Sequence, residues 1–405
     1  MIIRKIVCLV LACLFLGGCA SWRRKDYSRP LEAGQVALSK ITDPARIPDF
    51  RPAFRNRARL SESIDNSLFY FTHPSSQRYF PYLDISHSRA VHSLEKFKSL
   101  LKTASTPDEL HRRIVDEFDV YESVGCDDKG TVLFTGYCTP FYDASREPTA
   151  EFRYPLYKQP PDLLKTKDGE ILGRRVTART IAPYYTRSEI ERGSKLDGLE
   201  LVYLKDRLEA FLVHVQGSAK LKLRDGSTLE VGYAAKNGRA YRSLGKMLAD
   251  AGKLRRDRVS LTTIKRYFRE HPEDLDVFLP RNESFVFFRE TKGGPYGSLG
   301  VPVTAYRSIA TDKRKDALGQ EIYPRGGLAF IQTTLPAPAP GGGITKQSYS
   351  GFILDQDTGG AIRSAGRADV YLGEGPEAEI LAGHTVAEGR IYYLFAKTEL
   401  LQRSL

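Results

Sequence analysis

The sequence predicts a mainly β fold with flanking helices, on three observations. Tyr (22) and Phe (20) far outnumber Met (2) and Trp (1). Aromatic and β-branched residues recur in short runs, which suit a pleated, half-buried surface. Arg224-Asp225-Gly226-Ser227 separates two such runs, and Asp-Gly is a strong hairpin signal. The 405 residues are 41% hydrophobic and 27% charged, a globular composition with room for two domains or one large one.

The N-terminal end reads as an export signal. Arg4 and Lys5 precede an apolar stretch, Ile6 to Leu16, that is too short to span a bilayer comfortably. It ends in Leu16-Gly17-Gly18-Cys19, which resembles a bacterial lipobox. The expectation is a signal peptide over 1–18, lipid on Cys19 and stable anchoring through more than one acyl chain. By similarity to bacterial lipoproteins, Ala20 in place of Asp favours the periplasmic face of the outer membrane. Residues 19–60, rich in Arg, Lys, Pro and Ser, are expected to form a tether.

The net charge of +12 fits solubility, or attraction to anionic envelope polymers or lipid head groups. Nucleic acid is disfavoured as a partner, because the chain is exported and its basic residues are scattered. Cys126 and Cys138 remain once Cys8, Cys13 and Cys19 are assigned. An oxidising periplasm could join them, and spacing alone leaves that open. The two thiols and seven scattered histidines show no zinc-type spacing, so neither metal nor cofactor is expected.

Helices are expected over 88–122, where Leu94, Phe97, Leu100 and Leu101 share a face. Thr106-Pro107-Asp108-Glu109 begins a second segment, in which Leu110, Ile114 and Phe118 form the buried stripe. Strands are expected at 131–137, 199–203, 208–215, 220–223 and 228–233. A helix should run from Tyr241 to Ala251 before Gly252, with short helices near 261–270 and 272–279. Strands then resume from Ser284, and Leu335–Gly343 reads as an exposed loop.

Three stretches carry candidate chemistry. The first is Phe134-Thr135-Gly136-Tyr137-Cys138-Thr139-Pro140, followed by Glu151–Tyr157. The second is His214-Val215-Gln216-Gly217-Ser218, followed by Tyr233–Gly245, which includes Lys236, Asn237 and Tyr241. Their amides, hydroxyls and rings suit sugar hydroxyls, N-acetyl groups and sugar faces, although turn chemistry alone would also explain them. The third runs through Asp357-Thr358-Gly359-Gly360, Arg367-Ala368-Asp369-Val370 and Gly373–Glu379. A lone Asp369 in an apolar run should be partly desolvated, which favours the protonated carboxyl that a general acid needs. Asp357 is equally well read as an aspartate satisfied by turn amides.

Taken in order, FTGYxTP, FxYPLY, VQGS, AxKNGRAYRSLG, DTGGAI and RADVYxGxGPEAE resemble the lytic murein transglycosylase A family (MltA) over roughly 60–395. The resemblance implies a double-ψ β-barrel domain with an inserted second β-barrel-like domain and a groove between them. Mapped onto this sequence, the barrel takes 61–135 and 276–405, and the insertion takes 136–275. The C-terminal part resembles the three-aspartate (3D) module, with Asp369 as catalytic acid and base and Asp357 and Asp312 in support. Lys313–Glu321 departs from the family pattern and makes Asp312 the least secure of the three. Thr135, Tyr137, Gln216, Gly217, Ser218, Lys236, Asn237 and Tyr241 are the expected substrate-binding residues. The implied activity is exolytic cleavage of peptidoglycan glycan strands with 1,6-anhydro products. A two-carboxylate hydrolase and a non-catalytic wall-binding lipoprotein are the alternatives.

Overall fold

The computed structural model describes residues 25–166, 170–312, 314–316 and 319–398. The expected signal peptide, Cys19 and part of the Lys313–Glu321 segment lie outside them. The first strands are β1 (Leu38–Lys40), β2 (Phe118–Ser123) and β3 (Val132–Thr139). Next come β4 (Phe141–Ser145), β5 (Tyr154–Tyr157), β6 (Leu163–Lys165), β7 (Ile171–Arg175), β8 (Ile181–Ala182) and β9 (Glu200–Leu204). These are followed by β10 (Ser218–Leu223), β11 (Thr228–Lys236) and β12 (Val286–Thr291). The last are β13 (Ser308–Thr311), β14 (Leu328–Pro338), β15 (Ile344–Thr358), β16 (Arg367–Glu374) and β17 (Val386–Ala396). The helices are α1 (Leu60–Phe71), α2 (His87–Thr103), α3 (Pro107–Glu117), α4 (Arg187–Glu191) and α5 (Arg207–Gln216). They continue with α6 (Leu244–Asp250), α7 (Leu261–Glu270), α8 (Leu275–Phe278) and α9 (Gly375–His384).

Strands β17, β14, β15, β13, β16 and β3 pair in that order, and β3 returns to β17, so six strands close into a barrel. Two pairs are parallel, β13 with β15 and β16 with β3. This mixed closure agrees with the barrel that the motifs imply. The neighbours of β17 change along its length, from β3 at Val386–Gly389 to β14 at Arg390–Tyr393 and β2 at Tyr392–Ala396. Gly389 sits at the crossing, where a Cβ would lie 2.2 Å from the Gln332 carbonyl oxygen, so no side chain fits. Helices α1 and α2 cover the barrel through a core that includes Leu60, Ile64, Leu94, Phe97, Phe330 and Phe352. The 88–122 segment divides as expected into α2 and α3, but Phe118 opens β2 rather than closing a helix.

A second sheet, in the order β12-β11-β10-β4-β9-β5, has its own core around Leu156, Val202, Leu221, Val231 and Phe288. A bridge between Lys158 and Phe288 joins its outer strands and curls it into a barrel-like unit. Because β12 pairs with β11, this unit reaches Thr291 rather than 275, and because β3 belongs to the first barrel, it begins after Thr139.

Two further expectations are corrected. Residues 208–215 form a helix, α5, not a strand. Asp206 caps its N-terminus by accepting from the Glu209 N–H, and Gly217 ends it at φ 79°. The apolar run resembled a strand because nearly the whole helix is buried, so it lacks the polar face that reveals a helical period. The tether does not hang free over its full length. Lys25 pairs with Glu388 at 2.9 Å, the Tyr27 hydroxyl donates to Glu388 at 2.6 Å, β1 pairs with β2, and Phe50 is fully buried.

Cys126 and Cys138 are both buried and free. Cys126 lies beside Thr131 at the start of β3, and Cys138 lies seven residues further on, about 23 Å at strand rise. Denatured, unreduced protein carrying Cys19→Ser and lacking 1–18 should therefore titrate two thiols. A value near zero would mean that the two are bridged.

Candidate functional site

The barrel register places the acidic motifs side by side. Ala310 on β13 is paired with Asp357 on β15 and with Asp369 on β16, and Asp369 is paired with Thr135 on β3. The row across four strands is Asp357, Ala310, Asp369, Thr135. Two strand spacings separate the two aspartates, so their Cα atoms are roughly 10 Å apart. On β16, Ala368, Val370 and Leu372 point into the core, which leaves Asp369 on the opposite face.

Asp369 is not the lone carboxylate that the sequence suggested. The Thr135 hydroxyl donates a short hydrogen bond to Oδ1, and Arg367 Nε donates to the same oxygen at 3.0 Å. Arg367 Nη2 reaches Oδ2 at 3.3 Å and the Thr135 hydroxyl at 3.0 Å. The Asp369 side chain is 16% exposed, so a ligand can still reach it. Thr135 thus acts on Asp369, and Arg367 is a site residue absent from the expected set. The signal for it was present, since residues i and i+2 of a strand share a face.

Asp357 accepts the Ser298 and Thr358 backbone N–H groups, both at 2.8 Å. Burial nevertheless pushes its carboxyl up to about 6, against the lowering effect of those donors. The Tyr137 hydroxyl is buried beside it without a hydrogen bond of normal geometry, and burial followed by the Asp357 charge holds that phenol well above its usual range. The Tyr137 ring lies 5.1 Å from that of Tyr371. Asp312 has another task. Its buried carboxylate is gripped by Arg314 at 2.7 Å and by the Ser364 N–H at 2.6 Å, which ties Arg314 to the turn before β16.

The inserted unit contributes Tyr241. Burial raises its phenol, while the Arg367 charge lowers it and the Asp369 charge raises it. Gln216, Gly217 and Ser218 join α5 to β10, and Lys236 ends β11. The side chains of Gln216, Ser218 and Lys236 are half-buried and make no hydrogen bond among the described residues, so their polar groups remain available. Asn237 is different. Its amide donates to the Tyr185 and Glu283 carbonyls, both at 2.8 Å, and its oxygen accepts from the Phe285 and Arg239 N–H groups. That side chain is consumed in holding its own turn and is not free for substrate. His214, in the same motif, is buried, and its Nδ1 accepts the Val286 N–H.

Ion pairs fasten the two units near the groove. Lys220 of β10 meets Glu374 of β16 at 2.7 Å, and Lys265 of α7 meets Glu379 of α9 at 2.5 Å. Among the described residues, no cluster of three or more His, Cys, Asp or Glu could hold a metal, and no helix is long and apolar enough to cross a membrane.

Comparison with known proteins places this geometry. Residues 133–289 match the MltA specific insert domain, and residues 307–395 match the 3D domain. The chain is 34% identical over 283 residues to the membrane-bound lytic murein transglycosylase A of Escherichia coli strain K12, which covers 68% of this chain and 69% of that protein. It is likewise 34% identical to the Vibrio cholerae protein of the same name, over 67% of each chain. Among solved structures, a membrane-bound lytic murein transglycosylase from Agrobacterium tumefaciens superposes with a TM-score of 0.72 at 25% identity, over 90% of this chain and 99% of that one. Escherichia coli MltA with bound chitohexaose superposes with a TM-score of 0.66 at 26% identity, over 92% and 96%. Barrel, inserted unit and ordered motifs agree with these matches, and the chain belongs to the membrane-bound lytic murein transglycosylase A family.

Proposed function

We propose that this protein is a lytic transglycosylase that cleaves the β-1,4 bond between N-acetylmuramic acid and N-acetylglucosamine in peptidoglycan. The observation that carries the reading is Asp369, 16% exposed on the barrel wall and held by Thr135 and Arg367. The names of the relatives and the chitohexaose bound to the Escherichia coli protein support a glycan-strand substrate.

The reaction runs with Asp369 as sole acid and base. Protonated Asp369 gives its proton to the glycosidic oxygen. The C1–O bond breaks, its electron pair leaves with the N-acetylglucosamine oxygen, and an oxocarbenium-like sugar remains. The carboxylate then takes the proton of the muramyl C6 hydroxyl while that oxygen closes on C1. The products are a free N-acetylglucosamine hydroxyl and a 1,6-anhydro end, and no water is consumed. An ordinary glycosidase uses a carboxylate pair to manage water or a covalent intermediate. Asp357 is the only second carboxyl suggested by the site, and its raised pKa favours that rival reading. Its oxygen is already committed to two backbone donors.

Lipid on Cys19 would hold the enzyme at the periplasmic face of the outer membrane. Residues 20–24 alone separate that cysteine from Lys25, where the chain is already docked on the barrel. The span is at most about 20 Å.

Three outcomes are expected. Asp369→Asn should lower release of anhydro-muropeptides from purified murein by at least about 10²-fold, within the range of general acid–base contributions. Glycan binding should survive, and undiminished release would end the assignment. Mass spectrometry of the wild-type digest should show anhydro ends, whereas reducing ends would favour the hydrolase. Second, Asp357 has a folded-state pKa above its unfolded value, so the stability it confers is complete below about pH 4 and is lost as pH rises through about 6. Melting of wild type against Asp357→Asn should therefore shift in the variant's favour between those pH values, and a constant difference would remove the burial argument. Third, Cys19→Ser should move the protein from the membrane to the soluble fraction of cell lysates. Continued sedimentation with membranes would count against the lipid anchor.

A further inference from the structure

We propose that Arg367 and Thr135 are positioning residues that fix which oxygen of Asp369 carries the transferred proton. The proposal rests on Asp369 being the acid and base. A guanidinium has only donors. The Thr135 oxygen accepts from Arg367 Nη2 at 3.0 Å, so the single hydroxyl proton of Thr135 is directed to Asp369 Oδ1. Arg367 Nε gives Oδ1 a second proton at 3.0 Å. An oxygen receiving two donors has no place for an acid proton aimed at a substrate. Oδ2 is held only by Nη2, at 3.3 Å, at the long end of hydrogen-bond range. Oδ2 is therefore the oxygen that gives its proton to the glycosidic bond and later takes one from the C6 hydroxyl.

The same arrangement stabilises what the first step creates. When Oδ2 releases its proton, negative charge develops on the carboxylate. Arg367 and Thr135 already point at that charge, so no group must reorganise to meet it. The interaction is stronger in the transition state than with the neutral acid, and it should appear in kcat rather than in substrate affinity. Register keeps the three groups together. Asp369 is paired with Thr135 across the parallel β16–β3 ladder, and Arg367 is two residues away on the same face.

The test uses full-length protein on purified glycan strands and compares Thr135→Ser, Thr135→Val, Arg367→Gln and Asp369→Asn. Thr135→Ser keeps the hydroxyl and should stay within about threefold of wild-type kcat, the range expected when a hydrogen bond is retained. Thr135→Val should lose about 10-fold and Arg367→Gln about 100-fold in kcat, with KM little changed, because a mis-set reacting group costs on that order. The serine rescue would not be seen if Thr135 only packed the strand. A rise in KM at constant kcat would make both residues substrate-binding groups and overturn the proposal, as would wild-type kcat in Thr135→Val. Should Arg367→Gln fail to fold, the serine–valine pair at 135 decides alone. An inert Asp369→Asn beside a fully active Thr135→Val rejects only the positioning role. An active Asp369→Asn rejects the underlying reading.

Discussion

The parallel pairing of β16 with β3 is the constraint on which the site depends. It sets Asp369 against Thr135, Arg367 against Leu133 and Tyr371 against Tyr137. Side chains alternate along a strand, so a slip of one residue would turn Asp369 into the core and Ala368 into the groove. The core resists that slip. Ala368, Val370 and Phe134 are fully buried, and an unpaired aspartate among them would cost several kcal/mol. Packing that concerns only apolar side chains therefore fixes the position of Asp369.

Neighbouring elements hold the same register from the other side. Gln356, immediately before Asp357, is buried, and its amide binds the Ser63 carbonyl at 2.7 Å and the Ser67 hydroxyl at 2.9 Å, both on α1. Its oxygen accepts from Ser308 at the head of β13 at 2.6 Å. Helix α1, β15 and β13 are thus locked within one residue of Asp357. Arg307, also buried, binds the backbone oxygens of Asn56, Ala58 and Phe352. A buried polar network of this kind is worth keeping only when its members are satisfied, and here it ties the barrel to α1 and to the segment before it. The inserted unit is fastened differently, by the half-buried pairs Lys220–Glu374 and Lys265–Glu379. Such pairs contribute modestly, which leaves the insert's own core to stabilise it.

Much of this was legible in the sequence, and the failures have physical causes. The β-like run around Asp369 and the Thr106 helix start both appear in the structure. Helix α5 was misread because burial on nearly all sides erased its period. Asp206 with Glu209 three residues later, and Gly217 after the end, are cap signals that would have identified it. Asn237 was misassigned because a motif shows residue type, not whether its hydrogen bonds are already spent on nearby carbonyls. Arg367 is legible only through its i, i+2 spacing from Asp369, which places both side chains on one face of β16. The parallel neighbour Thr135 is more than 230 positions away in sequence, and only the motif order hinted that the two would meet.

The strand that carries Thr135 also receives the N-terminal segment. Lys25 lies 3.5 Å from the Thr131 hydroxyl, just before β3, and Thr135 is four residue steps further along the strand. At about 3.3 Å per residue, Asp369 stands roughly 13 Å along the barrel from the point where the segment docks. Under the proposed lipidation of Cys19, the chain ahead of Lys25 would add at most about 20 Å, which would put Asp369 within a distance on the order of 40 Å of the bilayer surface. A tether of the length that composition suggested would have allowed several times that range. Docking of residues 25–60 onto the barrel therefore shortens the reach that an undocked segment of that length would have.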